Sequence, residues 1–257
     1  MIGKSTFKPD KFVSVIIPTL NEEEHVDNIL ETFDFEPTKK QLIIVDGNSL
    51  DKTVDRVKKF KRGSREYLNL KIIKADKSGK GYQMIKGYEA SLGQTIVFLD
   101  ADLDADYSKL VKKLSQPILK GKAFFVKSKF ERGDEWGRVT KLTAQPLLEM
   151  FYPELNFIEQ PLSGQVAYKK QLVSQLLFPE NYGVEISHLI QYYKMYGLSN
   201  IEQVDLGNLQ HRHRGLGDLQ LTSQQILKTV LYHAREDGKL DIKDSLLWKL
   251  PSSLDFL

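Results

Sequence analysis

Short apolar runs rich in β-branched residues alternate with amphipathic segments along the first half of the chain. Five such runs predict strands, at residues 12–18, 41–46, 70–74, 95–100 and 123–126. Continuous apolar strands are typical of parallel sheets that are buried on both faces. Because helical patterns separate the runs, we expect an α/β fold with a mostly parallel twisted sheet flanked by helices.

The segments between these strands carry helical patterns. Asn21 is predicted to cap the first helix, since acidic residues follow it and apolar ones then recur at helical spacing. Further helices are predicted over 51–60, after the Gly79-Lys80-Gly81 turn, and from about Tyr107 onward. Beyond residue 130 helical stretches dominate, apart from a strand-like run at 201–206.

Composition narrows the functional classes. The 257 residues are 41% hydrophobic and 28% charged, as in an ordinary globular protein, and the net charge of +3 favours no nucleic-acid partner. The absence of cysteine excludes disulfides and thiolate chemistry. No apolar run predicts a membrane span, and the first residues lack the apolar core of a secretory signal. We therefore expect a cytoplasmic protein.

Three common catalytic and nucleotide-binding motifs are excluded, because each lacks one or two of the residues that it requires. A dinucleotide-binding fingerprint would need glycine where Met84 stands, and a P-loop would need glycine in place of Lys74 and a hydroxyl residue in place of Gly81. A nucleophile elbow around Ser163 would need glycine where Pro161 stands.

The most informative motif is the acidic run 100–106, which directly follows the fourth predicted strand. Asp100 and Asp102 are hard oxygen ligands that suit a divalent cation bound to a diphosphate. The alternative is a solvated acidic turn that caps the helix near Tyr107, which accounts for Asp104 and Asp106 in either case.

Three other segments carry candidate residues with simpler alternatives. Pro18-Thr-Leu-Asn-Glu22 follows the first strand and is a nucleotide contact or a plain loop. Lys80 lies between two glycines and meets a phosphate or occupies an exposed turn. His211-Arg-His-Arg214 is a metal or phosphate site or a basic surface patch.

A fourth segment, 137–140, opens a helical pattern with glycine, arginine and a hydroxyl residue. Unpaired N–H groups at a helix start, a guanidinium and a hydroxyl together form a phosphate receptor. Alternatively, Thr140 only caps the helix and Arg138 is solvated.

The chain resembles the GT-A glycosyltransferases, which use a nucleotide-sugar donor and a metal held by an Asp-x-Asp motif. The resemblance lies in four motifs that occur in this order: Pro18-Thr-Leu-Asn-Glu22, the turn Asp46-Gly-Asn-Ser49, Gly79-Lys80-Gly81 and Asp100-Ala-Asp102. Pro161-Leu-Ser-Gly-Gln165, Tyr182-Gly-Val-Glu-Ile186 and Asp205-Leu-Gly207 narrow the resemblance to the glucosyl-3-phosphoglycerate synthases and the related mannosyl-3-phosphoglycerate synthases. The match runs from about residue 12 to 216. It departs from the family pattern at Gln165, where a glutamate is usual, so a charge near the sugar is lost.

The resemblance implies a role for each candidate residue on the donor side. The implied contacts are Pro18, Leu20 and Glu22 beside the nucleotide, Asp46 near the base, Lys80 close to the donor, Asp100 on the ribose, and Asp102 with His211 on Mg²⁺ or Mn²⁺. His213 is a rival metal ligand.

On the acceptor side, the resemblance implies that Gly137, Arg138 and Thr140 bind the phosphate of 3-phosphoglycerate, with Gly164 also at the acceptor. Glu185 would face the sugar or the acceptor hydroxyl, and with Asp102 and Lys80 it forms the expected catalytic set.

The implied activity is metal-dependent transfer of a hexose, with glucose favoured, from a UDP- or GDP-sugar to the 2-hydroxyl of 3-phosphoglycerate with retention of configuration. The alternatives are mannosyl transfer, a polyprenyl phosphate or polysaccharide acceptor, and non-catalytic binding of a sugar nucleotide. We expect a single catalytic domain over 1–257, with a nucleotide-sugar half at about 12–130, an acceptor half at about 131–216 and a helical tail at 217–257. A homodimer is expected.

Overall fold

The computed structural model describes residues 11–35, 39–62, 69–131, 137–209 and 215–240. Its strands form one seven-stranded sheet in the order β3-β2-β1-β4-β6-β5-β7. The strands are β1 (Val13–Thr19), β2 (Lys40–Asp46), β3 (Leu70–Lys74), β4 (Thr95–Phe98), β5 (Phe125–Glu131), β6 (Val166–Lys169) and β7 (Ile201–Asn208). β6 runs antiparallel to both of its neighbours, and the other neighbouring strands pair in parallel. The predicted mostly parallel sheet is confirmed.

Helices cover the sheet and connect its strands. They are α1 (Val26–Thr32), α2 (Thr53–Arg62), α3 (Lys80–Glu89), α4 (Tyr107–Leu119), α5 (Gln145–Phe151), α6 (Lys170–Val173), α7 (Val184–Tyr196) and α8 (Leu216–Glu236). A π-helical turn, Thr140–Ala144, leads directly into α5, and a short 3₁₀ turn, Pro153–Leu155, follows it. Within the described part of the chain, no helix combines the length and the apolar character that a membrane span requires.

Alternate residues of the central strands feed two apolar layers on opposite faces of the sheet. Ile16 and Ile43 pack with residues of α3, α7 and α8, whereas Val15, Ile17 and Leu42 pack with residues of α1, α2 and α4. Because side chains alternate along a strand, a strand buried on both faces must be apolar throughout. This explains the continuous apolar runs that predicted these strands.

The predicted cap of the first helix is wrong. Asn21 adopts a left-handed conformation with φ of 57°, and its side-chain oxygen accepts a hydrogen bond from the N–H of Leu50 at 2.8 Å. The helix therefore begins only at Val26, and His25 occupies the cap position. Asp106 does cap α4, since its side chain accepts the N–H of Lys109 at 3.0 Å.

Strand β6 and the full length of β5 were not predicted. The predicted fifth strand at 123–126 overlaps only the start of β5, which continues to Glu131 through alternating lysines. β6 is only four residues long and lies between a loop and α6, so its apolar run is too short to separate from a helix start.

Candidate active site

Two loops at the carboxyl edge of the parallel strands are tied together by hydrogen bonds. The N–H of Asn21 donates to Oγ of Ser49 at 2.9 Å, and the N–H of Glu22 donates to Oγ1 of Thr53 at 2.8 Å. In the opposite direction, the N–H of Leu50 donates to Oδ1 of Asn21. The loop after β1 and the loop after β2 thus form one surface. The carboxyl edge of a parallel sheet is where α/β folds bind ligands.

The ends of β1 and β2 themselves are clamped by a buried glutamine. Nε2 of Gln83 donates to the carbonyl oxygens of Thr19 at 2.8 Å and Val45 at 2.7 Å. Asp46, opposite Thr19 in the parallel register, is buried and accepts the N–H of Ser49 at 3.2 Å. The carboxylate of Asp46 is therefore held in a fixed position at the rim of this surface.

Two glycines place Lys80 at the first position of α3. Gly79 has φ of 140°, which L side chains rarely adopt, and a Cβ on Gly81 would overlap the backbone carbonyl of Pro179. The N–H of Gly81 donates instead to the carbonyl of Glu180 at 2.9 Å. The helix can start this close to residues 179–180 only because both neighbours of Lys80 lack side chains.

The ammonium of Lys80 lies between two carboxylates. Nζ is 2.5 Å from Oδ1 of Asp100 and 2.5 Å from Oε1 of Glu185. Glu185 is at the start of α7 and is only 4% exposed, so its charge depends on Lys80 for compensation. Burial alone would lower the pKa of Lys80, but the two carboxylates outweigh it and raise the pKa above its ordinary value. Lys80 is thus a fixed cation at neutral pH.

Asp100 is held from three further directions. Nε2 of Gln165 donates to its Oδ2 at 2.7 Å, and the hydroxyl of Tyr107 donates to its backbone carbonyl at 2.9 Å. Gly164 packs against it so closely that a Cβ there would overlap both the Asp100 carboxylate and the Lys80 ammonium, 2.6 Å from Nζ. The cluster of Lys80, Asp100, Glu185, Gly164 and Gln165 therefore joins α3, the loop after β4, α7 and the loop before β6.

This arrangement of strand edge and charged cluster can be compared with known proteins. The family model described as "Glycosyl transferase family 2" matches residues 14–174, which include β1 to β6, Lys80 and the acidic run. The chain belongs to this family. The predicted GT-A fold and the predicted enzyme class, a glycosyltransferase, are confirmed.

Within glycosyl transferase family 2, the chain is similar to several glucosyl-3-phosphoglycerate synthases. It is 36% identical over 238 residues to the glucosyl-3-phosphoglycerate synthase of Mycolicibacterium smegmatis, covering 87% of this chain and 78% of the relative. It is 32% identical over 256 residues to the synthase of Petrotoga mobilis, covering 93% and 78%. The predicted resemblance is confirmed.

A solved structure shows the same similarity. The glucosyl-3-phosphoglycerate synthase of Mycobacterium tuberculosis, crystallised with Mn²⁺, UDP-glucose and phosphoglyceric acid, superposes with a TM-score of 0.79 at 32% identity. The superposition covers 88% of this chain and 80% of the solved one.

The carboxylates that follow β4 fit a divalent metal ion. Both carboxylate oxygens of Asp100 are already engaged, by Lys80 and Gln165, whereas the half-buried Asp102 accepts no hydrogen bond from any described residue. A carboxylate without a hydrogen-bond partner suits Mg²⁺ or Mn²⁺, which take one or two carboxylates plus phosphate oxygens. The described residues contain no group of three or more histidines and acids that could hold a metal by themselves.

Apart from Asp102 and the segment 137–140, the residues predicted from the sequence fall into three groups in the structure. Lys80, Asp100, Glu185 and Gly164 are in direct contact, as described above. The donor-side residues Pro18, Leu20, Glu22 and Asp46 lie at the ends of β1 and β2 or in the loop beyond. His211 and His213 lie outside the described residues, so their metal roles stay predictions.

The predicted phosphate segment 137–140 is on a separate element. Gly137 has φ of 72°, and residues 138–151 are continuously helical, so the predicted helix start directly after Gly137 is confirmed. Thr140 is buried and Arg138 is half-buried. The segment packs on α8, with the hydroxyls of Thr143 and Ser223 2.7 Å apart. A π-helical turn such as 140–144 is frequent at functional sites.

Two residues that shape the site, Gln83 and Lys127, were not identified from the sequence. Tyr107 and Gln165 were identified only as a helix start and as a departure from the family pattern, and their contacts with Asp100 were not predicted. Lys127 is fully buried in β5, and its Nζ donates to the carbonyls of Pro161 at 3.0 Å and Ser163 at 2.8 Å. In the sequence, Lys127 directly follows the apolar run 123–126. A lysine at the solvated end of a strand follows such a run in the same way, so the sequence does not distinguish a buried lysine from an exposed one.

Proposed function

We propose that this chain transfers glucose from UDP-glucose to the 2-hydroxyl of 3-phosphoglycerate, with Mg²⁺ or Mn²⁺ and with retention of anomeric configuration. The observation that carries the proposal is the cluster of Lys80, Asp100 and Glu185 at the carboxyl edge of the sheet. It occurs in a chain that superposes on a synthase crystallised with Mn²⁺, UDP-glucose and phosphoglyceric acid.

The difficult step of this reaction is departure of the diphosphate, on which negative charge grows as the glycosidic bond breaks. Lys80 is a cation fixed in advance by two carboxylates, so it stabilises that charge without reorganising. Asp102 and His211 would hold the divalent ion, which when bound neutralises charge on the diphosphate.

On the acceptor side, Gly137, Arg138 and Thr140 bind the phosphate of 3-phosphoglycerate. The arginine fork can contact two phosphate oxygens at once, and the helix start directly after Gly137 favours an anion. Glu185 lies beside Lys80, where its carboxylate orients the acceptor hydroxyl or stabilises positive charge on the sugar ring.

We also propose how the chain is organised and assembled. The halves at about 12–130 and 131–216 bind donor and acceptor. Of the expected helical tail at 217–257, α8 accounts for the part up to Glu236, and residues 241–257 lie outside the described residues. Exposed Leu216, Leu221 and Leu227 on α8 support self-association as a homodimer, which light scattering after size-exclusion chromatography tests. A cytoplasmic location stays a prediction.

A substrate panel tests the proposed activity. The purified chain is incubated with Mg²⁺, with UDP-glucose, GDP-glucose or GDP-mannose as donor, and with 3-phosphoglycerate or a polyprenyl phosphate as acceptor. The expected product is an α-linked glucosyl-3-phosphoglycerate, identified by NMR. A mannosyl or polyprenyl product would contradict the proposed donor or acceptor. A β-linked product would contradict retention of configuration, and binding of a sugar nucleotide without turnover would contradict the proposed enzymatic activity.

A further inference from the structure

The side chain of Gln165 occupies a fixed place in a directional chain of hydrogen bonds. Oγ of Ser163 donates to Oε1 of Gln165 at 2.7 Å, and Nε2 of Gln165 donates to Oδ2 of Asp100 at 2.7 Å. Since the single proton of Ser163 is used on Gln165, Ser128 donates in the contact between the two serine hydroxyls, which are 2.5 Å apart. The amide orientation is thus determined, because the Asp100 carboxylate can only accept.

The backbone that carries this chain is itself anchored. Lys127 donates to the carbonyls of Pro161 and Ser163, and Gly164 lies directly against Asp100. Lys127 is fully buried, and within the described part of the chain these two carbonyls are its hydrogen-bond partners. The turn 161–164 is therefore held in place. The side chain of Gln165, which directly follows the turn, hydrogen-bonds to Asp100 in the charged cluster.

We propose that Gln165 is a positioning residue: its amide, oriented by Ser163, holds the Asp100 carboxylate so that Lys80 is directed between Asp100 and Glu185. Without the Nε2 donor, the Asp100 carboxylate would lose its hydrogen bond to Gln165 and could rotate away from Lys80. The effect on turnover rests on the proposed function, whereas the effect on geometry does not.

The test uses the full chain with Gln165→Met, which keeps the volume but removes both hydrogen bonds. Gln41→Met is a matched control, because Gln41 is equally buried and accepts from a serine, Ser14, at 2.8 Å, but lies at the opposite edge of the sheet. The proposal predicts a similar fall in Tm for both variants. It predicts that kcat/KM for UDP-glucose falls about 10- to 100-fold only in Gln165→Met.

A second variant, Gln165→Glu, separates positioning from a merely structural role. The introduced carboxyl would be buried against Asp100, as the amide is. Burial and the negative charges of Asp100 and Glu185 raise its pKa, whereas the positive charges of Lys80 and Lys127 oppose this rise. When protonated it can donate to Oδ2 of Asp100 as the amide does. The activity ratio of this variant to wild type therefore rises as the pH falls from 8 to 6, and a pH-independent ratio contradicts positioning.

A crystal structure of Gln165→Met gives a readout that does not require activity. The proposal predicts that Asp100 turns away from Lys80, and an unmoved Asp100–Lys80 pair would overturn it. If the wild type transfers no glucose, the proposed function fails, and this structure alone decides the positioning role.

Discussion

The ammonium nitrogen of Lys80 lies 2.5 Å from Oδ1 of Asp100, although 20 residues separate them in sequence. Gly79 and Gly81 allow the start of α3 to approach closely enough for this contact, and Gln165 holds the far side of the carboxylate. A cation bound in this way is already oriented before a diphosphate arrives, which is the condition for effective electrostatic catalysis.

Replacing Lys80 by methionine tests the role of this cation. The variant removes the cation that compensates the buried Glu185 carboxylate, so we expect the free energy of unfolding to fall by roughly 3–5 kcal/mol. We expect kcat to fall at least about 100-fold. Lys77→Met is the control, because Lys77, in the loop that precedes α3, forms a partly exposed ion pair with Glu180. Near-normal turnover in Lys80→Met would refute the role.

Gly164→Ala tests how closely the turn before β6 must approach the cluster. A Cβ at this position overlaps Asp100 and Lys80, so one of them must move, and we expect kcat to fall about tenfold or more. Gly217→Ala in α8 places the same methyl group in open space and leaves activity unchanged. Steady-state rates and Tm for both variants measure this difference, and equal kinetics would show that the close approach has no catalytic consequence.

Arg138→Lys tests the acceptor phosphate site. The substitution keeps the charge but replaces a bidentate fork by a point charge, so KM for 3-phosphoglycerate rises about tenfold while kcat is retained. Arg56→Lys is the matched control, since Arg56 pairs with Asp27 on the surface. An unchanged acceptor KM would remove Arg138 from the site.

Because Lys127 is buried, we expect the stability of the protein to depend on pH. Burial lowers the pKa of Lys127 from 10.5 to about 7; the charge of Lys80 adds to this effect, and Glu185 and Asp100 oppose it. Between these values the unfolded chain binds one more proton than the folded chain. Stability therefore rises with pH through this window, by up to about 1.4 kcal/mol per pH unit.

Urea unfolding of wild type and Lys127→Met between pH 7 and 9.5 checks the sign. The wild type is expected to gain stability relative to the variant as the pH rises. Parallel curves for the two proteins would mean that Lys127 is not desolvated in the folded state.

The sequence predicts the sheet better than it predicts the contacts within the site. Runs such as the one in β2 predict strands because burial on both faces demands continuous apolar residues. The strand ends also placed Asp46 and Asp100 at one edge. The antiparallel β6 and the buried Lys127 could not be predicted, because a four-residue strand and an interior lysine depend on partners distant in sequence. Asn21 was misplaced since its left-handed conformation satisfies a neighbouring loop rather than a helix.

The central claim is that this chain is a metal-dependent glucosyltransferase with Asp102 on the metal. The direct measurement is the rate of glucosyl-3-phosphoglycerate formation from UDP-glucose and 3-phosphoglycerate, with Mn²⁺ or with EDTA, for wild type and Asp102→Asn. We predict product only with Mn²⁺ and a kcat at least about 100-fold lower in the variant. No product from the wild type with Mn²⁺, or equal rates with EDTA and in Asp102→Asn, would contradict the account.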